Sequence, residues 1–463
     1  MSETKSVRWT FARLLVVLLF STIALPSGLS PMQNDTWWHL RAGADMWASG
    51  RVLLTDNYSH TANGAFWPNH EWLSQLMFYG IYRAGGLPLL SLTAAALIVA
   101  AWGLTWRLMI GSPLRRFVMI APVLVPASLH WEPRPHAFSL LFLMTVVWLV
   151  LSRRYLWLPL LFWLWANCHG GVLLGLVVVV AALSAALFDE PSRWRRFALV
   201  LAGCLLAVTA TPLGTLFWVE LPRSMARIRQ YPINEWQSPS LTDLRLLPFW
   251  VAAAFLCVGL ARRRRDLVTK ATRQSRLVCC CAVALLPFAL SALRNVGPFL
   301  MLAVPALSAM FTLDFSSERW RRDRRPLMNA ALMSAASLTV VITLAYAYKF
   351  QIEHLRWHPL PEASLQALKQ CPDNLYNRYD DGGYLIWFAR ERLVFLDGRQ
   401  DPYPPSLVLE QIRTELSGDF AATFARYHIR CAYLPTSSPV ARRLSAVGWT
   451  TLYRDADWVV FTD

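Results

Sequence analysis

Apolar runs of about 17–25 residues recur along this chain, and short arginine-rich stretches separate them. A run of that length lets a helix cross the hydrocarbon core of a bilayer. Inside lipid the backbone must satisfy its own hydrogen bonds, so repeated runs of this kind confine the chain to a bundle of spanning helices. Only 16% of the 463 residues are charged, where a soluble domain carries about a quarter. The expected fold is a polytopic α-helical membrane protein. The formal charge of +16 raises nucleic acid as a partner. The arginines, however, sit between apolar runs as membrane anchors do, and no nucleic-acid-binding motif is present.

Charge also predicts a topology, because Lys and Arg favour cytoplasmic loops. Lys5, Arg8 and Arg13 precede the first apolar run, which places the N-terminus in the cytoplasm. That run is too long for a cleaved signal peptide, and no small-residue cleavage site leads into a soluble domain, so it reads as a retained first helix. The segment that follows, residues 31–86, is expected as an outer loop, with its apolar part from Trp72 to Tyr82 lying in the membrane interface. Alternating inward and outward turns then give about eleven transmembrane helices, ending near residue 349. Arginine clusters at Arg115–Arg116, Arg153–Arg154, Arg193–Arg196, Arg262–Arg265 and Arg319–Arg325 fall on the inner side. The polar, motif-like loops all fall on the outer side.

From about Pro359 the apolar runs shorten and charge rises. Helical segments are expected from Leu365, over Leu407–Leu416 and over Phe420–Tyr427. Strands are expected at Leu375–Arg378, Leu393–Asp397, Cys431–Leu434 and Trp458–Phe461. This alternation implies a small α/β domain, so the chain divides into a membrane domain over 1–349 and an extracytoplasmic α/β domain over 350–463. Asp380-Asp381-Gly382-Gly383 and Asp397-Gly398-Arg399-Gln400-Asp401 would then be exposed loops able to bind a partner or an acceptor. Six of eight cysteines lie in apolar runs and act as small hydrophobes. Cys371 and Cys431 stand apart, and pair as a disulfide if their region is extracytoplasmic.

The residues suited to chemistry gather at the outer ends of the helices. Asp35 opens Asp35-Thr36-Trp37-Trp38-His39, and His70-Glu71 lies between Trp67 and Trp72. A carboxylate among tryptophans is partly desolvated and suited to proton transfer. Asp35 and Glu71 are therefore the candidate catalytic acids. His39 and His70 either orient them or bind phosphate. In Glu132-Pro133-Arg134-Pro135-His136 two prolines stiffen the backbone. Arg134 reads either as a clamp for an anionic group or as an interface anchor, with His136 beside it. His169, in Asn167-Cys168-His169-Gly170-Gly171, is a substrate contact or part of a tight turn. Glu235, in Glu235-Trp236-Gln237-Ser238-Pro239, sits in a long loop that could cover a site. Arg294 is a lone outer-face arginine and calls for an anionic partner, a lipid-linked phosphate or a phospholipid headgroup. His70-Glu71 lacks the second histidine of a zinc-protease helix, and no metal site is assigned.

On these residues the membrane half of the chain resembles the GT-C superfamily of integral-membrane glycosyltransferases. The shared pattern is a first helix, a first outer loop opening with an acid, an interfacial helix, many further helices and an extracytoplasmic C-terminal domain. Bacterial relatives have a similar Asp-x-Trp-Trp-His opening, a His-Glu-Trp, an Asn-x-His-Gly-Gly turn and a Glu-Trp-Gln-Ser-Pro loop. The resemblance implies transfer of a sugar from a polyprenyl-phosphate donor to a glycan, lipid or protein acceptor on the outer face of a bacterial inner membrane, with inversion. Asp35 would be the general base, and Arg294 a phosphate-binding arginine. An Asp-x-Asp motif is missing, since position 37 is Trp. The first-choice mechanism therefore has no cofactor, with a divalent metal as the alternative. The competing readings are an O-antigen-type polymerase or ligase, and a transporter or flippase of lipid-linked substrates.

Overall fold

The computed structural model describes residues 9–231, 233–311, 325–371 and 374–463. Lys5, Arg8 and the arginines from Arg319 to Arg324, which entered the topology reading, lie outside the described residues. Among those described, seven helices are long and apolar enough to cross a membrane: α1 (Phe11–Gly28), Trp72–Leu108, Val172–Asp189, Leu244–Arg263, Arg273–Ser291, Leu293–Met310 and Pro326–Phe350. A pair, Pro191–Thr209 with Gly214–Ile228, is bent by 107° and makes an eighth if it is one span. The chain is a multi-pass membrane protein, but the count of about eleven is not reached. His136–Leu151 and Tyr155–Cys168 are apolar yet short. The stretch expected as a third span breaks into Pro113–Ile120, Leu124–Ala127 and single turns. Pro122 and Pro126 lie in that stretch, and each proline removes a helix hydrogen bond.

The chain forms two compact units. The first is made of residues 1–30, 91–208 and 234–351 and holds most of the apolar helices. At one end of it, Glu190 accepts Arg153 at 3.0 Å, Arg193 at 2.8 Å and also Arg273, while Asp189 takes Arg276 at 2.9 Å. Two arginine clusters that charge alone sorted to one membrane face therefore meet on one carboxylate.

The second unit is made of residues 31–90, 209–233 and 352–463. The stretch expected as a first outer loop thus folds with the C-terminal residues. Its first part is helix α2 (Asn34–Ser49), where a loop was expected. The α2 sequence is rich in Trp, Asp and Ala and lacks the long apolar run that marks a span. Helix α3 (Trp72–Leu108) begins in this unit and breaks at Gly85–Gly86, where Gly86 has a left-handed φ of 64° that favours glycine. That break is where the interfacial segment and the following span were expected to part.

The C-terminal residues form a four-stranded sheet of β1 (Asn374–Tyr376), β2 (Ile429–Pro435), β3 (Thr450–Arg454) and β4 (Trp458–Thr462), in the order β1-β2-β4-β3. β1 and β2 run parallel and the other pairs are antiparallel. Helices Glu362–Lys369, Pro405–Ser417 and Ala421–Arg426 match the expected ones. Two expectations are corrected. Leu393–Asp397 is no strand of this sheet: Val394 donates to Tyr58 O at 2.9 Å and accepts from His60 N at 3.0 Å, so it pairs with the first loop. Gly382-Gly383 is no exposed loop but the buried start of helix Gly382–Phe388. The unit's core likewise joins Ala62 and Tyr231 to Tyr376, Phe395, Leu434 and Phe461.

Cys371 and Cys431 form a disulfide closing a separation of 60 residues. In the chain-entropy view a loop of this length contributes about 4 kcal/mol. Reduction, or Cys371→Ser with Cys431→Ser, is expected to lower the melting temperature of the purified protein by several degrees. An unchanged melting curve with and without reductant would contradict this.

Candidate active site

Asp35 lies in the first turn of α2, where the helix dipole favours a carboxylate. Trp38, one turn on, donates its indole N–H to Asp35 Oδ1 at 3.0 Å. The preceding Asn34 accepts the Gly383 N–H on its Oδ1, and its Nδ2 reaches Tyr379 O at 3.5 Å. A side chain at Gly383 would collide with the Asn34 backbone, and one at Gly398 with the Asp35 carboxylate. These two glycines admit the start of α2 against the C-terminal residues. Both belong to the motifs expected as loops that bind a partner or an acceptor; Gly383 lies against Asn34, and Gly398 against Asp35.

His39 lies one turn beyond Asp35 on α2 and is buried, its ring 3.5 Å from that of Trp38. Its Nε2 is 3.7 Å from Glu71 Oε2, and His70 Nε2 is 4.0 Å from Glu71 Oε1. Three of the expected residues, His39, His70 and Glu71, thus form one group. Gln75 and Asn69, which the sequence reading passed over, pack behind it.

A further group in the same unit joins Asp56 to Asp397 and Arg399, which were expected in an exposed loop and are buried. The Arg399 side chain is 0% exposed and sits 2.6 Å from Asp56 Oδ1 and 2.7 Å from Asp397 Oδ2, both also 0% exposed. Its guanidinium faces the rings of Trp67 and Tyr58 at 4.8 and 4.9 Å. Burial works against the charge on Arg399, but Asp397, Tyr403 and Asp56 raise its pKa overall, so it stays protonated. Nearby Asp401 accepts the Ser224 hydroxyl, and burial pushes its carboxyl upward.

The remaining expected residues lie in the first unit. Glu235 sits in the turn Asn234–Trp236 and receives Arg134 Nη1 on one oxygen and Arg294 Nη1 on the other, both at 3.3 Å. Arg294 also lies 4.3 Å over the ring of Trp236, and Leu293 N donates to Gln237 O at 2.9 Å. The two candidate phosphate arginines are therefore joined through a third candidate. Burial disfavours the Glu235 anion, yet Arg134 and Arg294 outweigh it and hold the carboxyl down to about 2. Burial lowers His130 to about 4, so it is neutral at pH 7. His136 is turned onto the His130 carbonyl. His169 has a separate setting: its Nδ1 accepts Gly171 N at 3.0 Å and the Ser139 hydroxyl at 2.7 Å, and Trp165 donates to Ser139 at 2.7 Å. Among the described residues no three His, Cys, Asp or Glu side chains converge to hold a metal ion.

No protein-family model matches the chain, and no curated protein matches it by sequence. Solved structures do match, and the chain shares its fold with ArnT and with an archaeal oligosaccharyltransferase. ArnT from Cupriavidus metallidurans, bound to undecaprenyl phosphate, aligns with a TM-score of 0.54 at 16% identity, over 96% of each chain. The oligosaccharyltransferase of Archaeoglobus fulgidus, tethered to an acceptor peptide, aligns with a TM-score of 0.53 at 12% identity, over 92% of this chain and 69% of its own. Its complex with an inhibitory peptide and a dolichol-phosphate aligns with a TM-score of 0.52 at 11% identity.

The Glu235 cluster makes a signed prediction. A carboxyl whose folded pKa is depressed stabilises the fold above its unfolded value, here 4.5, and loses that contribution as pH falls toward about 2. The difference corresponds to about 3 kcal/mol at neutral pH. Glu235→Gln should therefore cost stability at pH 7 and converge on the wild type only below about pH 2. Equal melting temperatures at pH 7 would refute the assignment.

Proposed function

We propose that this protein is a glycosyltransferase that moves a sugar from a polyprenyl-phosphate-linked donor to an acceptor on the extracytoplasmic face of a bacterial inner membrane. The observation that carries the reading is the likeness in fold, over 96% of each chain, to a structure bound to undecaprenyl phosphate. The Cys371–Cys431 disulfide supports the extracytoplasmic placement of the C-terminal residues, since such bonds persist in oxidising compartments. The inner placement of the N-terminus follows from the arginine clusters.

Asp35 takes the proton of the acceptor hydroxyl. The acceptor oxygen forms its bond to the anomeric carbon as the bond from that carbon to the phosphate oxygen breaks. The configuration inverts, and polyprenyl phosphate leaves with the electron pair. Arg134 and Arg294, drawn together on Glu235, make a positively charged pair of the kind that binds a phosphate. The seat of Asp35 suits the role: a helix N-terminus and an indole N–H hold the carboxylate in one place, so little reorganisation is left for the reaction. No step passes through a metal.

The test uses the purified full chain in lipid nanodiscs, with a polyprenyl-phosphate sugar as donor and release of polyprenyl phosphate as readout. Asp35→Asn is expected to lower kcat by roughly 100- to 10,000-fold with an unchanged melting temperature. Arg294→Ala should act mainly by raising KM for the donor. Gly398→Ala should lower kcat by displacing the carboxylate it abuts. Full activity of Asp35→Asn would remove Asp35 from the mechanism.

A further inference from the structure

His39 is walled in by groups that decide where its single ring proton sits. Its Nδ1 faces Gln75 Nε2 at 3.4 Å. An amide nitrogen only donates, so Nδ1 accepts and carries no proton. A neutral imidazole with a bare Nδ1 has its proton on Nε2, the atom 3.7 Å from Glu71 Oε2. Gln75 is itself held. Asn69 Nδ2 donates to Gln75 Oε1 at 2.9 Å, and Gln75 Nε2 donates back to Asn69 Oδ1 at 2.9 Å. Gln75 is 0% exposed and Asn69 2%. Turning Gln75 alone would set donor against donor and acceptor against acceptor, so only a joint turn of Asn69 and Gln75 reverses the contact at Nδ1.

We infer that Asn69 and Gln75 are positioning residues that fix His39 as the neutral Nε2–H tautomer and present that N–H to Glu71. The reading rests on the proposed transferase activity for its kinetic consequence, but the tautomer itself does not. It changes the role expected for His39. An imidazolium would need a proton on Nδ1, pointed at an amide N–H, so His39 is not a phosphate-binding cation. Glu71 and His70 are the titratable groups set against it, and Trp38 covers its ring face. The Glu71 side chain is 16% exposed where that of His39 is 3%. The oriented N–H turns its positive end toward a carboxylate 3.7 Å away that still reaches solvent and can accept a hydroxyl proton or a sugar hydroxyl.

The first measurement reads the wild-type protein. Full-length protein labelled with ¹⁵N-histidine, with His39→Gln to assign the signal, should show His39 with a bare Nδ1 and a protonated Nε2 at pH 7. A protonated Nδ1, or an imidazolium, overturns the inference whether or not the protein transfers sugar. The second measurement uses Gln75→Glu, which places an acceptor where the donor was. It should move the proton to Nδ1, lower kcat by roughly tenfold and add an ionisation between about pH 6 and 8 to the profile, with KM for the lipid donor unchanged. His39→Gln keeps a donor near the Nε2 position and should retain more activity than His39→Asn. A Gln75→Glu profile identical to wild type overturns the positioning role. If the wild type releases no polyprenyl phosphate from any donor, the transferase reading fails while the tautomer result still stands.

Discussion

Arg399 carries a full charge with no exposure to water, and the second unit is arranged so that this charge is tolerable. Two carboxylates, Asp56 from the first loop and Asp397 from the C-terminal residues, lie within 2.7 Å of its Nη2. Two acids against one base leave a surplus negative charge, which hydrogen bonds absorb. Asp56 accepts Tyr58 N at 3.0 Å and the Ser59 hydroxyl at 2.5 Å; Asp397 accepts Arg399 N at 2.9 Å and the Tyr403 hydroxyl at 2.5 Å. A buried ion pair adds little net stability over an apolar substitute, but losing one partner leaves an uncompensated charge, at a cost of about 3–5 kcal/mol. The network therefore acts as a register device: the two stretches can meet in this alignment and in few others.

What that register sets is the seat of Asp35. Gly398 lies between Asp397 and Arg399, two members of the ionic network, and its missing side chain is the space the Asp35 carboxylate uses. Gly383 does the same for Asn34. Phe395 N and Leu396 O, just ahead, bond to the buried Asn377 side chain at 2.7 and 2.8 Å. A carboxylate at the start of a short helix is thus located by backbone from the far end of the chain. Rigid elements position reactive groups more precisely than loops do, and here the rigidity comes from joining three distant stretches into one core.

That joining explains which parts of the molecule could be read from sequence. Membrane spans are set by local hydropathy, so α1, Val172–Asp189 and Pro326–Phe350 were legible. Strands β2 and β4 were legible from their apolar runs. The eleven-span count failed because alternation of charge assigns a side to a segment without asking whether its prolines let it cross. Strand β3 was missed because it lies at the edge of the sheet, where no residue is fully buried and alternation is weak. Leu393–Asp397 looked like a strand and is extended, but its partner is the loop near Tyr58, more than 300 positions earlier. Asp35, Glu71, Arg134, Glu235 and Arg294 stood out as polar groups beside apolar runs. That Glu235 bridges two arginines, and that Gln75 governs His39, are contacts of high sequence separation with no local mark.

The acids singled out by sequence differ in what surrounds them, and the difference sorts their chemistry. Glu235, held down to about 2 between two guanidinium groups, is a poor proton acceptor at neutral pH, because general bases work best with a pKa near the operating pH. Its service is structural and electrostatic. Two arginines brought together with no anion between them would repel, and Glu235 lets Arg134 and Arg294 lie in one place while leaving the trio with a net positive charge. An indole N–H is bonded to Asp35, and two imidazole rings lie beside Glu71. Such neighbours orient a carboxylate, and an oriented carboxylate is what proton abstraction from a hydroxyl requires.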